Sequence, residues 1–187
     1  MSQFRVEKRR AHAELTLATG ETLRGSFFLA SSTRTQVGPE RIADLLNANA
    51  GFFPFDAAGN ADHGTILVNR AHVVAVQVLE PFAEAQDAAG YEVATERQIT
   101  MTLVTGARLE GSVRVFCPQG RDRLSDWARS ADAFRYVETA GTTYIVNTAH
   151  IVEVREIGRA GEVGQTGQDG RVGWVGRVVG GTEENKS

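Results

Sequence analysis

The chain has 187 residues, of which 42% are hydrophobic and 23% are charged, and its formal net charge is -3 at pH 7. This balance is typical of a soluble globular protein, and it excludes the strongly basic overall charge of many nucleic-acid-binding domains. The single cysteine, Cys117, excludes an intrachain disulfide, and the lack of a long apolar run or a signal-peptide core predicts a cytoplasmic protein without membrane contact.

The predicted elements begin after a short basic segment, residues 1–11. Residues 13–30 alternate apolar and polar side chains around a Thr-Gly turn, which predicts two antiparallel strands joined by a tight hairpin. Gly25, inside the second strand, indicates a sharp bend, a bulge or a close backbone approach. A short helix follows, with Ile42, Leu45 and Leu46 on one face. Two further strands, GTILVN and HVVAVQVLE, complete a first module at residues 12–80.

The second half of the chain repeats this order. Residues 99–116 match residues 13–30, with Gly111 on Gly25, and in the helix that follows Asp126 falls on Asp44. Each aspartate could flank a cleft between the modules, or it could cap its helix, face solvent or bond the chain where it enters the next strand. The closing strands match most closely, since LVNRAHVVAV at 67–76 returns as IVNTAHIVEV at 145–154. We therefore predict a duplicated module, with a linker at 81–97 and the second copy at 98–157.

Each copy, with four or five short strands and one helix, has the make-up of a small, strongly bent barrel. A unit of roughly 65 residues is only marginally stable alone, so we expect the two copies to pack together. They would do so about a pseudo-two-fold axis or edge to edge, which would hide open strand edges.

The motif LVTGARLEGSV resembles the start of an Sm-like domain. The phrases ILVNRAHVVAV and YIVNTAHIVEV resemble the last two Sm-like strands, which a very short polar turn joins. This resemblance implies a mainly β fold: two tandem small Sm-like β-barrels, each with one inserted helix, followed by a Gly-rich tail at 158–187. Sm-like domains usually place their helix before the first strand and form rings of single-domain chains. The helix between the second and third strands, and the missing match to the family's uridine pocket, depart from that pattern.

The two Asn-x-Ala-His turns are candidate contact sites. In bacterial RNA chaperones of the Sm-like family the corresponding turn contacts RNA, so the resemblance implies the same role for the turn residues here. These residues are Asn69, Arg70 and His72 in the first copy, and Asn147, Thr148 and His150 in the second. The favoured alternative is structural, because asparagine and histidine often bond the local backbone in turns. No histidine or cysteine spacing indicates a metal site, so we predict no metal and no cofactor.

Two apolar segments are unusual for connectors. In GFFPF, residues 51–55, alternation places Phe52 and Phe53 on opposite faces, so one of them is expected at the surface. We take Phe53 as the candidate partner contact, while expecting at least two of the three phenylalanines in the core.

The tail has glycine at every third position from Gly158 to Gly176 but no proline, which favours a flexible segment over a triple helix. Trp174, among valines, is the second candidate contact.

The sequence contains no motif that assembles a nucleophile, a base and a group that stabilises developing charge. It has no phosphate-binding loop, no nucleophile elbow and no HExxH motif, so we predict no catalytic residues and no enzymatic activity. The predicted function is a non-enzymatic interaction or scaffold module with a protein partner, and a homo-oligomer through the barrel edges is compatible with it. The alternative is single-stranded RNA binding through the two turns.

Overall fold

A computed structural model describes residues 8–31, 39–48, 51–58, 64–79, 91–116 and 122–158. His63, Cys117, Trp174 and the tail after Gly158 lie outside the described residues. The described strands of the first half are β1 (Lys8–Leu17), β2 (Thr22–Ala30), β3 (Phe52–Ala57), β4 (Thr65–Asn69) and β5 (Val73–Val78). Those of the second half are β6 (Thr95–Leu103), β7 (Arg108–Val115), β8 (Phe134–Glu138), β9 (Thr143–Asn147) and β10 (Ile151–Glu156). The helices are α1 (Ile42–Ala48) and α2 (Leu124–Ala128).

The ten strands form one antiparallel sheet in the order β10-β6-β7-β8-β9-β5-β1-β2-β3-β4. Each half contributes its strands in the same order, and the halves join where β5 pairs with β9, with Val76 opposite Ile145. The prediction of a mainly β fold is confirmed. The sheet is not closed, so the prediction of two separate barrels is not confirmed: the alternating pattern of a strand does not specify which distant strand it pairs with.

Matching hairpins open the two halves. β1 and β2 are joined by a turn in which Gly20 has φ 85°, and β6 and β7 by a turn in which Gly106 has φ 83°. This left-handed conformation favours glycine. Gly25 and Gly111 serve a different purpose, because a Cβ atom at these positions would lie 2.1 Å from Asp56 O and 2.2 Å from Glu138 O, respectively. Of the three alternatives that the sequence left open for these glycines, a close backbone approach is present in both halves.

Two predicted boundaries differ from the strands. β1 begins at Lys8, within the predicted basic segment, because Lys8 pairs with Ala30 and the buried Ala11 pairs with Phe27. β6 begins at Thr95, within the predicted linker, because residues 95–98 continue the pairing with β7. In both places charged side chains on the outward positions of a strand gave the segment the composition of a loop.

The helices begin in the same way. Asp44 accepts a hydrogen bond from the backbone N–H of Arg41 at 3.1 Å, and Asp126 accepts one from Arg123 N–H at 3.1 Å. Of the roles that the sequence left open for the paired aspartates, the structure shows helix capping, because both carboxylates bind otherwise unpaired N–H groups at the helix starts.

The apolar side chains form two clusters, one per half, and each cluster includes side chains from the other half. The first-half core contains Phe134 and Ile145 from β8 and β9, and the second-half core contains Val74 and Ala75 from β5. Packing across the β5–β9 junction therefore belongs to both cores.

Candidate functional site

The two Asn-x-Ala-His turns form short 3-10 helices, Arg70–His72 and Thr148–His150. Asn69 Oδ1 accepts a hydrogen bond from Ala71 N–H at 3.0 Å, and Asn147 Oδ1 accepts one from Ala149 N–H at 3.1 Å. Each asparagine therefore caps the turn that joins the last two strands of its half. This local bond accounts for the repeated asparagine without any ligand.

The structure brings the two turns together at the junction between the halves. His150 Nε2 lies 2.7 Å from Ala71 O, in the first-half turn. Asn147, only 4% exposed, also donates from Nδ2 to Val73 O at 3.0 Å. Because Asn147 is buried and its amide is engaged, it is not accessible to a ligand. His72, by contrast, is exposed.

One arginine from each half, the half-buried Arg70 and the buried Arg135, binds the C-terminal part of a helix. Arg70 donates to Leu45 O at 3.2 Å and lies 5.3 Å from the centre of the Phe53 ring. In the second half Arg135 donates to Trp127 O and lies 4.9 Å from the Trp127 ring centre. Desolvation by burial lowers the pKa of both arginines. Each guanidinium thus donates to a backbone carbonyl oxygen near the C-terminal end of the helix in its half.

Arg70, a candidate contact residue in the sequence, therefore has a structural role. It also donates to Phe52 O at 2.9 Å, so its guanidinium links the turn to both α1 and β3. The sequence did not indicate the role of Arg135. This arginine lies on β8, and the matching residue on β3, Phe53, is apolar.

A shallow groove of about 340 Å³ runs between α1 and β8. Asn47 closes one side, where its side-chain amide exchanges two hydrogen bonds of 2.9 Å with the backbone N–H and C=O of Phe134. The groove is lined by Leu46, Asn47, Gly51, Arg70, Ala71, Ala131, Asp132, Ala133, Phe134 and Asn147. Since its main polar side chains already bind the protein backbone, the groove offers few free groups for a ligand.

The exposed phenylalanine of the aromatic connector is Phe52. Phe53 is 1% exposed and stacks on Phe27 with ring centroids 5.3 Å apart, whereas Phe52 is 62% exposed. The choice of Phe53 as a partner contact is therefore wrong. Alternation showed that the two rings face opposite ways but not which face of β3 packs on the core.

The described strands β4 and β10 each pair on one side only, and we call them the open edges; the paired strands β5 and β9 are the joined edges. Leu67 on β4 is 69% exposed, whereas its counterpart on β9, Ile145, is 0% exposed. Val152 on β10 is 65% exposed, whereas Val74 on β5 is 0% exposed. These apolar surface residues were not predicted from the sequence, although the close match between the closing strands was a signal that pointed to them.

A polar cluster fixes the 3-10 turn Tyr91–Val93, a part of the predicted linker, against the sheet. Tyr91 Oη donates to Glu138 Oε2 at 2.7 Å, and the Arg114 guanidinium lies 4.3 Å from the tyrosine ring centre. Burial, together with the bond to Glu138, raises the pKa of Tyr91. In the part of the chain that the structure describes, no three histidine, cysteine or acidic side chains converge as a metal site would require.

No described helix is both long and apolar enough to cross a membrane. No protein-family model, curated protein or solved structure matches this chain.

Proposed function

We propose that this protein is a non-enzymatic interaction module that binds protein by strand pairing at its open edges. The observation that carries the proposal is the exposure of apolar side chains on β4 and β10 at positions that are buried on the joined edges. An unpaired strand offers a row of backbone donors and acceptors to another polypeptide, and the side chains beside it supply specificity.

The edge at β4 has few of the features that protect an edge strand from pairing. Its sequence, TILVN, contains no charged residue and no proline, and Ile66 and Leu67 are both exposed. Natural proteins usually protect such an edge with charges, prolines or a covering segment. Among the described strands β4 pairs only with β3, and an apolar edge of this kind beside the exposed Phe52 favours a binding surface.

The same proposal treats the halves as two copies of one Sm-like unit, fused so that one pair of edges is permanently joined. Three features support it: the shared strand order, the matching close approaches at Gly25 and Gly111, and the matching 3-10 turns. In this view the duplication supplies a scaffold with one open edge at each end.

Site-specific photo-crosslinking in the native cell tests the proposal. A photoreactive amino acid replaces Leu67 on β4, and, as a matched control, Val93, which is 88% exposed but lies on neither edge. We expect a discrete crosslinked protein from position 67 and none from position 93. If position 67 gives no adduct, or only the adducts that position 93 gives, the interaction proposal fails.

Single-stranded RNA binding is the second candidate, because the structure places the two Asn-x-Ala-His turns side by side. Against it, Asn147 is buried and the Arg70 guanidinium binds backbone carbonyls. Fluorescence anisotropy with labelled single-stranded RNA at low salt separates the candidates. Binding that weakens steeply with salt and is lost in His72→Ala would favour RNA; the interaction proposal predicts no such binding.

A further inference from the structure

We infer that the occupant of the open edges is a second copy of this chain, with β4 of one copy paired to β10 of the next. This inference rests on the proposed function and names its partner. The joined edges supply the template for this pairing. There the fourth strand of the second half, β9, already pairs with the fifth strand of the first half, β5. β4 and β10 are the fourth and fifth strands that lack such a neighbour.

The β5–β9 junction within the chain predicts the register of the β4–β10 junction between copies. Tyr144, Ile145 and Val146 of β9 lie opposite Gln77, Val76 and Ala75 of β5. The corresponding positions are Ile66, Leu67 and Val68 on β4 and Arg155, Val154 and Glu153 on β10. The new junction therefore places Leu67 of one copy opposite Val154 of the next.

The backbones of β5 and β10 have the same irregularity. β5 pairs with β1 through Val73 and Ala75, which leaves Val74 as an extra residue in the ladder. β10 pairs with β6 through Ile151 and Glu153, and Val152 is then the extra residue. A bulge changes the local twist and direction of a strand, so β10 presents its free edge in the same shape as β5.

The cores show what is missing at the open ends. The first-half core is completed by Phe134 and Ile145, which are 4% and 0% exposed. Their counterparts, Phe52 and Leu67, are 62% and 69% exposed. A neighbouring copy would place these two side chains against the second-half core, in the way that β8 and β9 complete the first.

Among the described residues, polar groups also have partners at the internal junction that their counterparts at the open edge lack. At the internal junction Asn147 Nδ2 donates to Val73 O, and His150 Nε2 lies 2.7 Å from Ala71 O. Within the described ranges neither Asn69 Nδ2 nor the His72 ring has a corresponding partner. The counterparts of the two carbonyls are those of Ile151 and Ala149, which a neighbouring copy would supply.

One difference makes the proposed junction the weaker of the two. Glu153 and Arg155, which form an ion pair, stand where β5 has Ala75 and Gln77. Ala75 is 5% exposed at the joined edge, so Glu153 would lose water on pairing, and desolvation of a carboxylate opposes association. We therefore expect reversible, concentration-dependent assembly, strengthened by Glu153→Ala.

Sedimentation analysis of the full chain tests the inference with two edge variants, Leu67→Asp and Val152→Asp. Both replaced side chains are exposed, so each single chain should fold, which circular dichroism verifies. The wild type is expected to sediment as whole-number multiples of 20.2 kDa. Each variant alone is expected to remain at 20.2 kDa. Their equimolar mixture should form a dimer and nothing larger, because one intact β4 then meets one intact β10. Val93→Asp is the control and should assemble like the wild type.

Three results would overturn the inference. One is a wild-type chain that stays monomeric at several hundred micromolar. Another is self-association of either variant alone, since this would show pairing between like edges. The third is assembly only after truncation at Gly158, which would make the chain's own tail the occupant. If the wild type is monomeric while position 67 crosslinks a different protein, the interaction proposal survives and only the identity of the partner is wrong.

Discussion

The joined and open edges of the sheet have closely similar sequences in different surroundings. YIVN in β9 and ILVN in β4 differ little, yet Ile145 is 0% exposed and Leu67 is 69% exposed. The same contrast holds between Val74 and Val152 on the fifth strands. Burial at these positions is therefore decided by the presence of a neighbouring strand and not by the strand's own residues. Substitutions at matched positions can separate the two contributions.

The largest expected difference is between the two phenylalanines that begin β8 and β3. Phe134→Ala removes a ring from the first-half core and should lower the free energy of unfolding by about 3–5 kcal/mol. Phe52→Ala changes an exposed ring and should alter the free energy of unfolding of the single chain by less than about 0.5 kcal/mol. Urea unfolding, at a protein concentration low enough to keep the chain monomeric, measures both. Equal losses would show that Phe52 is buried within one chain.

Away from the edges, the two halves should respond alike. Gly25→Ala and Gly111→Ala each force a Cβ atom toward a carbonyl oxygen of the neighbouring strand, so each should destabilise the protein by about 3 kcal/mol. Gly141→Ala is the control, because no atom lies within 4 Å of the Cβ position there. Thermal unfolding compares the three variants. A large loss from only one of the strand glycines would mean that the halves are less alike than their strand order indicates.

Smaller losses of stability are expected at the two capping asparagines than at the strand glycines. Asn147→Ala leaves the buried carbonyl of Val73 without its donor and should cost about 1–3 kcal/mol. Asn69→Ala removes only the bond to Ala71 N–H and should cost about 1 kcal/mol or less. Chemical denaturation of the monomeric chain measures the difference. If Asn69→Ala costs as much as Asn147→Ala, the first-half turn has a buried partner.

Local patterns in the sequence predict the local structure well. The Thr-Gly turns, the strand glycines and the repeated closing phrase correspond to the hairpins, the close approaches and the turns between final strands. These features depend on neighbouring residues, and so a short stretch of sequence contains the information that determines them.

Pairing between distant segments is what the sequence did not reveal. It did not show that β5 joins β9, and hence that Asn147 is buried while Asn69 is half-buried, or that Phe53 and not Phe52 faces the core. The predicted contact role of Trp174 lies outside the described residues and stays a prediction. Two asparagines, or two phenylalanines, in similar stretches of sequence can thus differ in burial, and only the pairing of distant strands decides which is buried.

Because core side chains are shared across the β5–β9 junction, the two halves depend on each other even if the chain between them is cut. Because Phe134 and Ile145 complete one core, and Val74 and Ala75 complete the other, neither half can exclude water from its interior by itself. These shared side chains, and not only the covalent connection, hold the two halves together. Co-expressed as two separate polypeptides divided between β5 and β6, the fragments should recover the ten-stranded sheet by complementation.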